Sequence, residues 1–519
     1  MIDSRSMMSP NFLRSPSALV VFCVGAILPH ALWAGVEPAM DDATKPVSYF
    51  SKIRPIFQAH CQGCHQPAKA KGDYVMTDFT RLLHGGESAE KGETAVVAGA
   101  PDQSLLVRQI TPVNGEVEMP PKDEPLSPGD VVLVRRWIEE GAKDDTPENA
   151  RQRFDAEHPP IYHRAPVITS LDFSPDGKIL AVAGFHEVLL WNGDGTELLA
   201  RLVGMSERIE AVRFSPDGKR LAACGGRPAQ MGEVQVWNIE KRGLELSVPI
   251  GYDTIYGVRW SPDEKLLSFG CPDNALRAID AKTGKQVLQQ NSHNDWVLDT
   301  VFTHQGDKLV SVGRDMSAKL TEVATQRFID NISSITPGAL RGGLQTVARH
   351  PQRDEFMVGG ADGVPQAYRI ERKTQRRIGD NALCIRKWPA MEGRIYAVDF
   401  APDGKSFAAA SSLDGKGAVH FYNYDFDTEM PAEMVAIEGK ASGERTPEEK
   451  AKLEAHYSSD VKLLGSVELN GGIYSLAYRP DGQEVAVGGE DGLVRLISAP
   501  TGKVLREFTP VPLVSTAQR

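Results

Sequence analysis

The sequence predicts a multidomain chain in which a small, mostly α-helical domain is followed by a larger all-β domain. Three observations carry this. The run Cys61-Gln62-Gly63-Cys64-His65 lies between stretches whose apolar residues recur at helical spacing. A turn pattern of the Ser-Pro-Asp-Gly kind returns seven times between Phe173 and Tyr478. The chain is also 519 residues long, more than one ordinary core accommodates.

At the N-terminus, Arg5 and Arg14 precede an apolar run from Ala18 to Leu28, followed by Pro29 and small residues ending at Ala34. Charged segment, short apolar core and small-residue exit in that order read as a secretory signal peptide over residues 1–34. The apolar run is shorter than the roughly 20 residues a membrane-spanning helix needs. The mature chain is therefore expected to be periplasmic or otherwise exported, with no stable membrane span. Leu32 is a poor residue three positions before the cleavage point, so an uncleaved N-terminal anchor is the alternative. Residues 35–46 read as a flexible N-terminus.

There are 58 basic and 69 acidic residues, a formal net charge of −11. From Gly35 to Ala150 the count is 19 acids against 12 bases, a balance of −7. No basic stripe is present to neutralise phosphates, which excludes nucleic acid as a partner. Acidity suits a positively charged redox partner, although it also simply favours solubility. Beyond Cys23, Cys61 and Cys64, only Cys224, Cys271 and Cys384 remain. Their apolar neighbours mark them as small buried core residues, not a disulfide framework.

Val47 to His60 places Tyr49, Phe50, Ile53, Ile56 and Phe57 on one helical face, with Pro55 expected to kink or delay the helix. A second helix is expected after Ser127, with Asp130 three residues on, an apolar face of Val131, Val134, Trp137 and Ile138, and Gly141 at its end. Phe57 and Trp137 are candidate contacts where the two aromatic faces meet. Between these helices, Cys61 and Cys64 are spaced to add to the two vinyl groups of one porphyrin, and His65 is placed to ligate its iron. The second axial ligand is expected from Met119 in Glu118-Met119-Pro120-Pro121, 54 residues after His65. Prolines there remove backbone donors and stiffen the loop that presents the thioether. Met76 is the rival thioether, in a strand-like setting, and His60 and His84 are rival imidazoles.

These residues resemble the small cytochrome c domain abundant in planctomycete-type bacteria. The resemblance runs from about Phe50 to Ala142 and rests on blocks beyond the cysteine motif. They are Arg81-Leu82-Leu83-His84-Gly85-Gly86-Glu87-Ser88, Pro101-Asp102-Gln103-Ser104-Leu105-Leu106, Met119-Pro120-Pro121 and Arg136-Trp137-Ile138-Glu139-Glu140-Gly141-Ala142. Ala98 and Ala100 depart from the proline and polar residue expected around Gly99. The resemblance implies a class I-like cytochrome c domain over residues 47–145 holding one covalently bound haem c. Cys61 and Cys64 would attach it, with His65 as proximal and Met119 as distal iron ligand. The Gly85-Gly86-Glu87-Ser88 loop is either a neighbour of the haem edge or a simple turn.

Residues 146–165 are polar and contain prolines, and read as a linker. The repeats follow. Asp172-Phe173-Ser174-Pro175-Asp176-Gly177 recurs as Arg213-Phe214-Ser215-Pro216-Asp217-Gly218, then as Arg259-Trp260-Ser261-Pro262-Asp263, as Asp399-Phe400-Ala401-Pro402-Asp403-Gly404 and as Ala477-Tyr478-Arg479-Pro480-Asp481-Gly482. Degenerate copies begin at Phe302 and Arg349. The copies are about 41 to 51 residues apart, with one gap of 78. Each reads as four short strands separated by turns, which resembles a WD40-like β-propeller of seven blades over residues 166–510. The long gap holds an insert at about 425–460, where Thr446-Pro447-Glu448-Glu449 starts a short charged helix read as a solvated excursion. Residues 511–519 are a tail.

The expected function is that of an exported mono-haem c-type cytochrome passing electrons by outer-sphere transfer to a redox partner protein. Its propeller would serve as a platform for a protein or glycan ligand. An electron carrier of this kind needs no catalytic site of its own, and the repeats contain no nucleophile, metal cluster or paired carboxylates. Two alternatives stand beside it. One is a periplasmic oxidoreductase of the cytochrome cd1 kind, whose propeller houses a second cofactor. The other is haem-based catalysis or sensing, which requires Met119 to leave the iron open.

Overall fold

The computed structural model describes residues 45–66, 69–121, 124–147, 154–251, 253–333, 342–372, 374–375 and 381–514. The signal-peptide reading over 1–34, most of the 35–46 segment, the centre of the 146–165 linker and the end of the 511–519 tail lie outside the described residues. From Val47 onward the described chain forms one compact unit. No helix among the described residues is long and apolar enough to cross a membrane.

The first part of that unit is built on short helices. Ser48 accepts a hydrogen bond from the Ser51 amide at 3.0 Å and opens a π-helical turn, Tyr49–Ile53, which runs into helix α1, Arg54–His60. Pro55 falls in the first turn of α1, where its missing N–H has no intrahelical partner to lose. The wider turn before it is how the chain accommodates the proline without ending the helix. Helices α2 (Phe79–His84), α3 (Glu87–Glu90), α4 (Leu105–Ile110) and α5 (Pro128–Glu139) follow. Ser127 caps α5 as expected, accepting from the Asp130 amide at 3.1 Å, and Gly141 leaves it with φ +100°. Ile53, Phe57, Leu82, Val134, Trp137 and Ile138 fill one apolar core. Phe57 meets Trp137 edge-on at 6.2 Å, and Tyr49 stacks on the same indole at 5.5 Å.

The rest is mostly β and propeller-like. Five sheets have four antiparallel strands and one has seven. The seven-stranded sheet is two sets sharing one long strand, Leu198–Phe214. Its Arg208 pairs with Phe185 on one side and Gly226 on the other, so the strand is outermost in the first set and innermost in the second. The innermost strands touch in cyclic order, and Leu171–Phe173 of the first set packs beside Ile473–Tyr478 of the seventh. The seventh set ends with its own outer strand, Val504–Phe508, so the first and last sets meet by packing and not by exchanging a strand. Trp191 donates its indole N–H to the Pro510 carbonyl at 3.0 Å, and Tyr162 forms a parallel bridge with Leu513. The C-terminal part of the linker region is therefore tied down.

Each recurring turn is locked by its own side chains. Asp176 accepts from Ser174 Oγ at 2.7 Å and from the Lys178 amide at 3.1 Å, and the same pattern recurs at Asp217 and Asp263. Gly177 takes φ +69°, and Glu264 holds φ +60° where the third copy lacks glycine. Between sets, Asp172, Asp299 and Asp399 accept from the amides of Phe214, Val347 and Tyr478 at 2.7, 3.1 and 2.9 Å.

The insert departs from expectation. It contains two helices, α6 (Ala432–Glu438) and α7 (Pro447–Tyr457), the second with the expected capping box. Met434, Ile437, Leu453 and Tyr457 pack against Phe356, Tyr368, Leu383 and Cys384. The solvated excursion is thus corrected to an apolar cover over the fifth set. Charged residues interspersed along the insert hid four apolar positions that only the adjacent sheet brings together.

Candidate functional site

Helix α1 delivers the cysteine motif. The amides of Cys61 and Gln62 both donate to the Phe57 carbonyl at 2.9 Å, and those of Cys64 and His65 both donate to the Cys61 carbonyl at 3.1 Å. Two consecutive tight turns thus gather both thiols and the imidazole at the end of one helix. His65–Gln66 pairs with Lys69–Ala70 as a two-stranded ribbon, and the Met76 amide donates to the His65 carbonyl at 2.8 Å. The His65 ring lies 5.3 Å from that of Tyr74.

The donor set suits a haem c. Cys61 and Cys64 are free thiols, and burial with the neighbouring Cys64 pushes the Cys61 thiol up to about 12. Burial lowers the His65 pKa, keeping the imidazole neutral as an iron ligand must be. His65 Nδ1 is buried with no hydrogen-bond partner, an orphaned atom in an otherwise packed region.

Met119 arrives on a separate loop after α4, pinned by its amide to the Gln109 carbonyl at 3.0 Å and followed by buried Pro120. Its side chain is half-exposed and stands outside the packed core. Met76 is 1% exposed and lies inside that core, in a turn and not the strand-like setting expected of it. His60 and His84 are exposed at the ends of α1 and α2. In the Gly85-Gly86-Glu87-Ser88 loop, a Cβ on Gly86 would collide with the Gly72 carbonyl, so close backbone packing accounts for that glycine.

The motif also meets the β region, which sequence reasoning missed. A Cβ on Gly63 would fall 2.7 Å from the Ser247 carbonyl and 3.3 Å from Pro249, on the outermost strand of the second set, Gly243–Ile250. Beside this contact a crevice of about 690 Å³ separates the helical region from the first sets, lined by Gln62, Gln66, Phe79, Arg81, His186 and Arg227. His186 sits there with φ +61°, its pKa driven down to about 4 by burial and by Arg227. Nothing in the local pattern around His186 marks it, because the site exists only where two distant segments meet.

In the fourth set, His293 is buried between Asp315 (3.0 Å from Nδ1) and Ser311 (2.8 Å from Nε2). The order resembles a hydrolytic triad, but Ser311 is 0% exposed and no substrate can reach it. His304 and His350 bond to backbone carbonyls at 3.0 Å. Cys224, Cys271 and Cys384 are buried free thiols, as the sequence indicated.

A family model described as planctomycete cytochrome C matches residues 61–123. A model of the anaphase-promoting complex subunit 4 WD40 domain matches residues 234–305 and 451–515, and one of the WD domain, G-beta repeat, matches 161–192 and 383–417. Among curated proteins, eukaryotic translation initiation factor 3 subunit I of Danio rerio is 23% identical over 37% of this chain and 59% of its own length. The same subunit of Scheffersomyces stipitis is 24% identical over 46% of this chain and 78% of its own. A WD repeat-containing protein 91 homolog of Dictyostelium discoideum is 27% identical over 16% of this chain and 11% of its own. The chain thus spans under two thirds of the length of the Danio rerio relative. A chain in a crystal structure of the mitotic checkpoint complex aligns with a TM-score of 0.49 at 14% identity, covering 64% of this chain and 89% of that one. The WD-type family models match through the repeats, whereas the motif segment matches through a different family. The chain therefore carries a planctomycete cytochrome c domain, which implies haem c binding, joined to WD40 repeats.

Proposed function

We propose that this protein is an exported electron-transfer cytochrome whose repeats form a seven-bladed propeller serving as a docking platform. One haem c would be held through thioether bonds to Cys61 and Cys64, with its iron held by His65 and Met119. When bound, the group would supply a one-electron couple whose potential those two ligands tune. The observation that carries this reading is the orphaned, buried Nδ1 of His65 in a turn that also gathers two free thiols. Met119 supports it from the other side. Its loop is stiffened by Pro120 and Pro121, and its thioether is not consumed by core packing, whereas that of Met76 is.

The chain's own residues prepare the site. Burial favours the neutral form of His65, Tyr74 lies beside its ring, and the apolar core that holds Phe57 and Trp137 packs against Cys61; an apolar surround of this kind favours the less charged redox state. A second cofactor in the propeller finds little support, since His293, His304 and His350 are already engaged in hydrogen bonds. A redox partner protein and a periplasmic or other exported location belong to the same proposal.

Absorption spectroscopy of the purified protein tests it. One low-spin haem c per chain, unresponsive to carbon monoxide, is expected. A second haem type sinks the proposal, and high-spin iron in the untouched protein turns it toward catalysis or sensing.

A further inference from the structure

Four residues before the turn-opening residue of each repeat (Phe173, Phe214, Trp260, Phe302, Arg349, Phe400 and Tyr478) stand Thr169, Glu210, Tyr256, Leu298, Gln345, Tyr396 and Tyr474. All seven line one cavity of about 370 Å³ where the inner strands begin. One residue from each repeat thus forms a ring around a single opening. Its volume lies within the roughly 300–1,000 Å³ usual for small-ligand sites.

Three of the seven are tyrosines. Tyr396 and Tyr474 meet edge to face at 4.9 Å and form a corner of the wall. Tyr256 stacks on Trp296 at 6.0 Å, and Arg314 backs that indole at 4.8 Å, so this wall is braced from behind. Among the described residues, the side-chain polar groups of Glu210, Tyr256, Gln345, Tyr396 and Tyr474 make no hydrogen bond within the protein. Five donors and acceptors therefore converge on the opening with their capacity left for something that enters it. Deeper hydroxyls are already used, since Ser170 accepts from the Val212 amide and Ser475 from the Leu171 amide.

Charge narrows the ligand. The lining carries Arg208 and Arg213 against Glu210 and Asp299, a formal balance of zero. An ionic ligand would find no net complement here. Half-buried aromatic rings combined with amide, hydroxyl and carboxyl groups match a molecule with apolar faces and a polar rim. That is the chemistry of a sugar ring, whose C–H faces pack on aromatics while its hydroxyls take hydrogen bonds. A docked peptide strand would want an unpaired sheet edge with room beside it, and each inner strand here, though hydrogen-bonded on one side only, is packed against the inner strands of the adjacent sets.

We propose that this opening binds a neutral saccharide, with Tyr256, Tyr396 and Tyr474 as the stacking surface and Glu210 and Gln345 as hydroxyl partners. The proposal rests on the reading of the repeats as a docking platform and commits that platform to one ligand class. It is independent of the haem ligands, so a spectrum that overturns the electron-transfer reading leaves it standing.

The test is calorimetric titration of the full-length haem-loaded protein with cellotetraose, xylotetraose, mannotetraose and chitotetraose, and with tetramethylammonium as a cationic probe for the same aromatic walls. At least one saccharide is expected to bind, with affinity falling roughly tenfold or more in Tyr396→Ala and Tyr474→Ala. Tyr396→Phe, which keeps the ring, should retain most of the binding, and Gln345→Ala should weaken it without altering the melting temperature. If Tyr396→Ala does not fold, Gln345→Ala and Glu210→Gln carry the test. Binding of none of the four sugars, sugar binding indifferent to these substitutions, or binding of tetramethylammonium alone overturns the proposal.

Discussion

At the residue scale, two positions near the cysteine motif decide different things. Met119 is half-buried on a loop fixed by one backbone hydrogen bond and by Pro120, so its replacement would remove the proposed iron ligand and little packing. Met119→Ala in the haem-loaded protein is expected to give high-spin iron that binds carbon monoxide, with a lower reduction potential. A low-spin, inert spectrum in that variant would assign the ligand elsewhere, with Met76 the first candidate to examine. Gly63 carries the opposite kind of information. A methyl group there meets a backbone carbonyl at 2.7 Å, which cannot rotate away as a side chain can. Gly63→Ala should therefore cost about 1–3 kcal/mol, as overpacking does, and loosen the contact with strand Gly243–Ile250. Thermal melting together with proteolysis in the 146–165 region would register both effects.

At the element scale, the turns make the clearest statement about pH. Hydrogen bonds from Lys265 and Ser261 hold the Asp263 carboxyl at about 2, below its unfolded value of 3.8, and Asp217 is lowered to a similar value. A depressed folded pKa stabilises the native state above the unfolded pKa, and that contribution is lost as pH falls through the folded value. The melting temperature should therefore drop between about pH 4 and pH 2. The drop should be shallower in Asp263→Asn, which removes one titrating group and keeps an acceptor; equal slopes would refute the assignment. These same turns explain why the repeats were legible. Their chemistry is local, so Ser174, Pro175, Asp176 and Gly177 announce themselves in four consecutive letters. Helix α5 was legible for the same reason, through Ser127 and Gly141. The insert was not, because Met434, Ile437, Leu453 and Tyr457 become a face only against a sheet built from residues 344–387. His186 and the Gly63 contact were hidden likewise, since each depends on a surface contributed by a distant segment.

At the scale of the whole molecule, the segments flanking the repeats tie the first set to the last. Trp191 reaches Pro510, the Val514 amide donates to the Tyr162 carbonyl at 2.9 Å, and Ile168 donates to Gly489 at 2.9 Å. Deleting residues 509–519 removes the first two ties and leaves the third. The truncated protein should melt at a lower temperature and exchange amide hydrogens faster in Leu171–Phe173 than in the fourth set, a strand of only three residues being easily released. Uniform exchange across all sets would show that the ends contribute nothing special to closure. The seating of Gly63 against Ser247 has a consequence of a different sort, for the order of biogenesis. Cys61 and Cys64 precede by some 180 residues the strand that comes to cover their loop. Until Gly243–Ile250 folds, that loop is open; afterwards one side of it is closed. On the export proposed above, a porphyrin would be attached only after the chain crosses, so loading would fall between the crossing of the loop and the folding of that strand, and a chain that folds its repeats first would have to undo a domain contact.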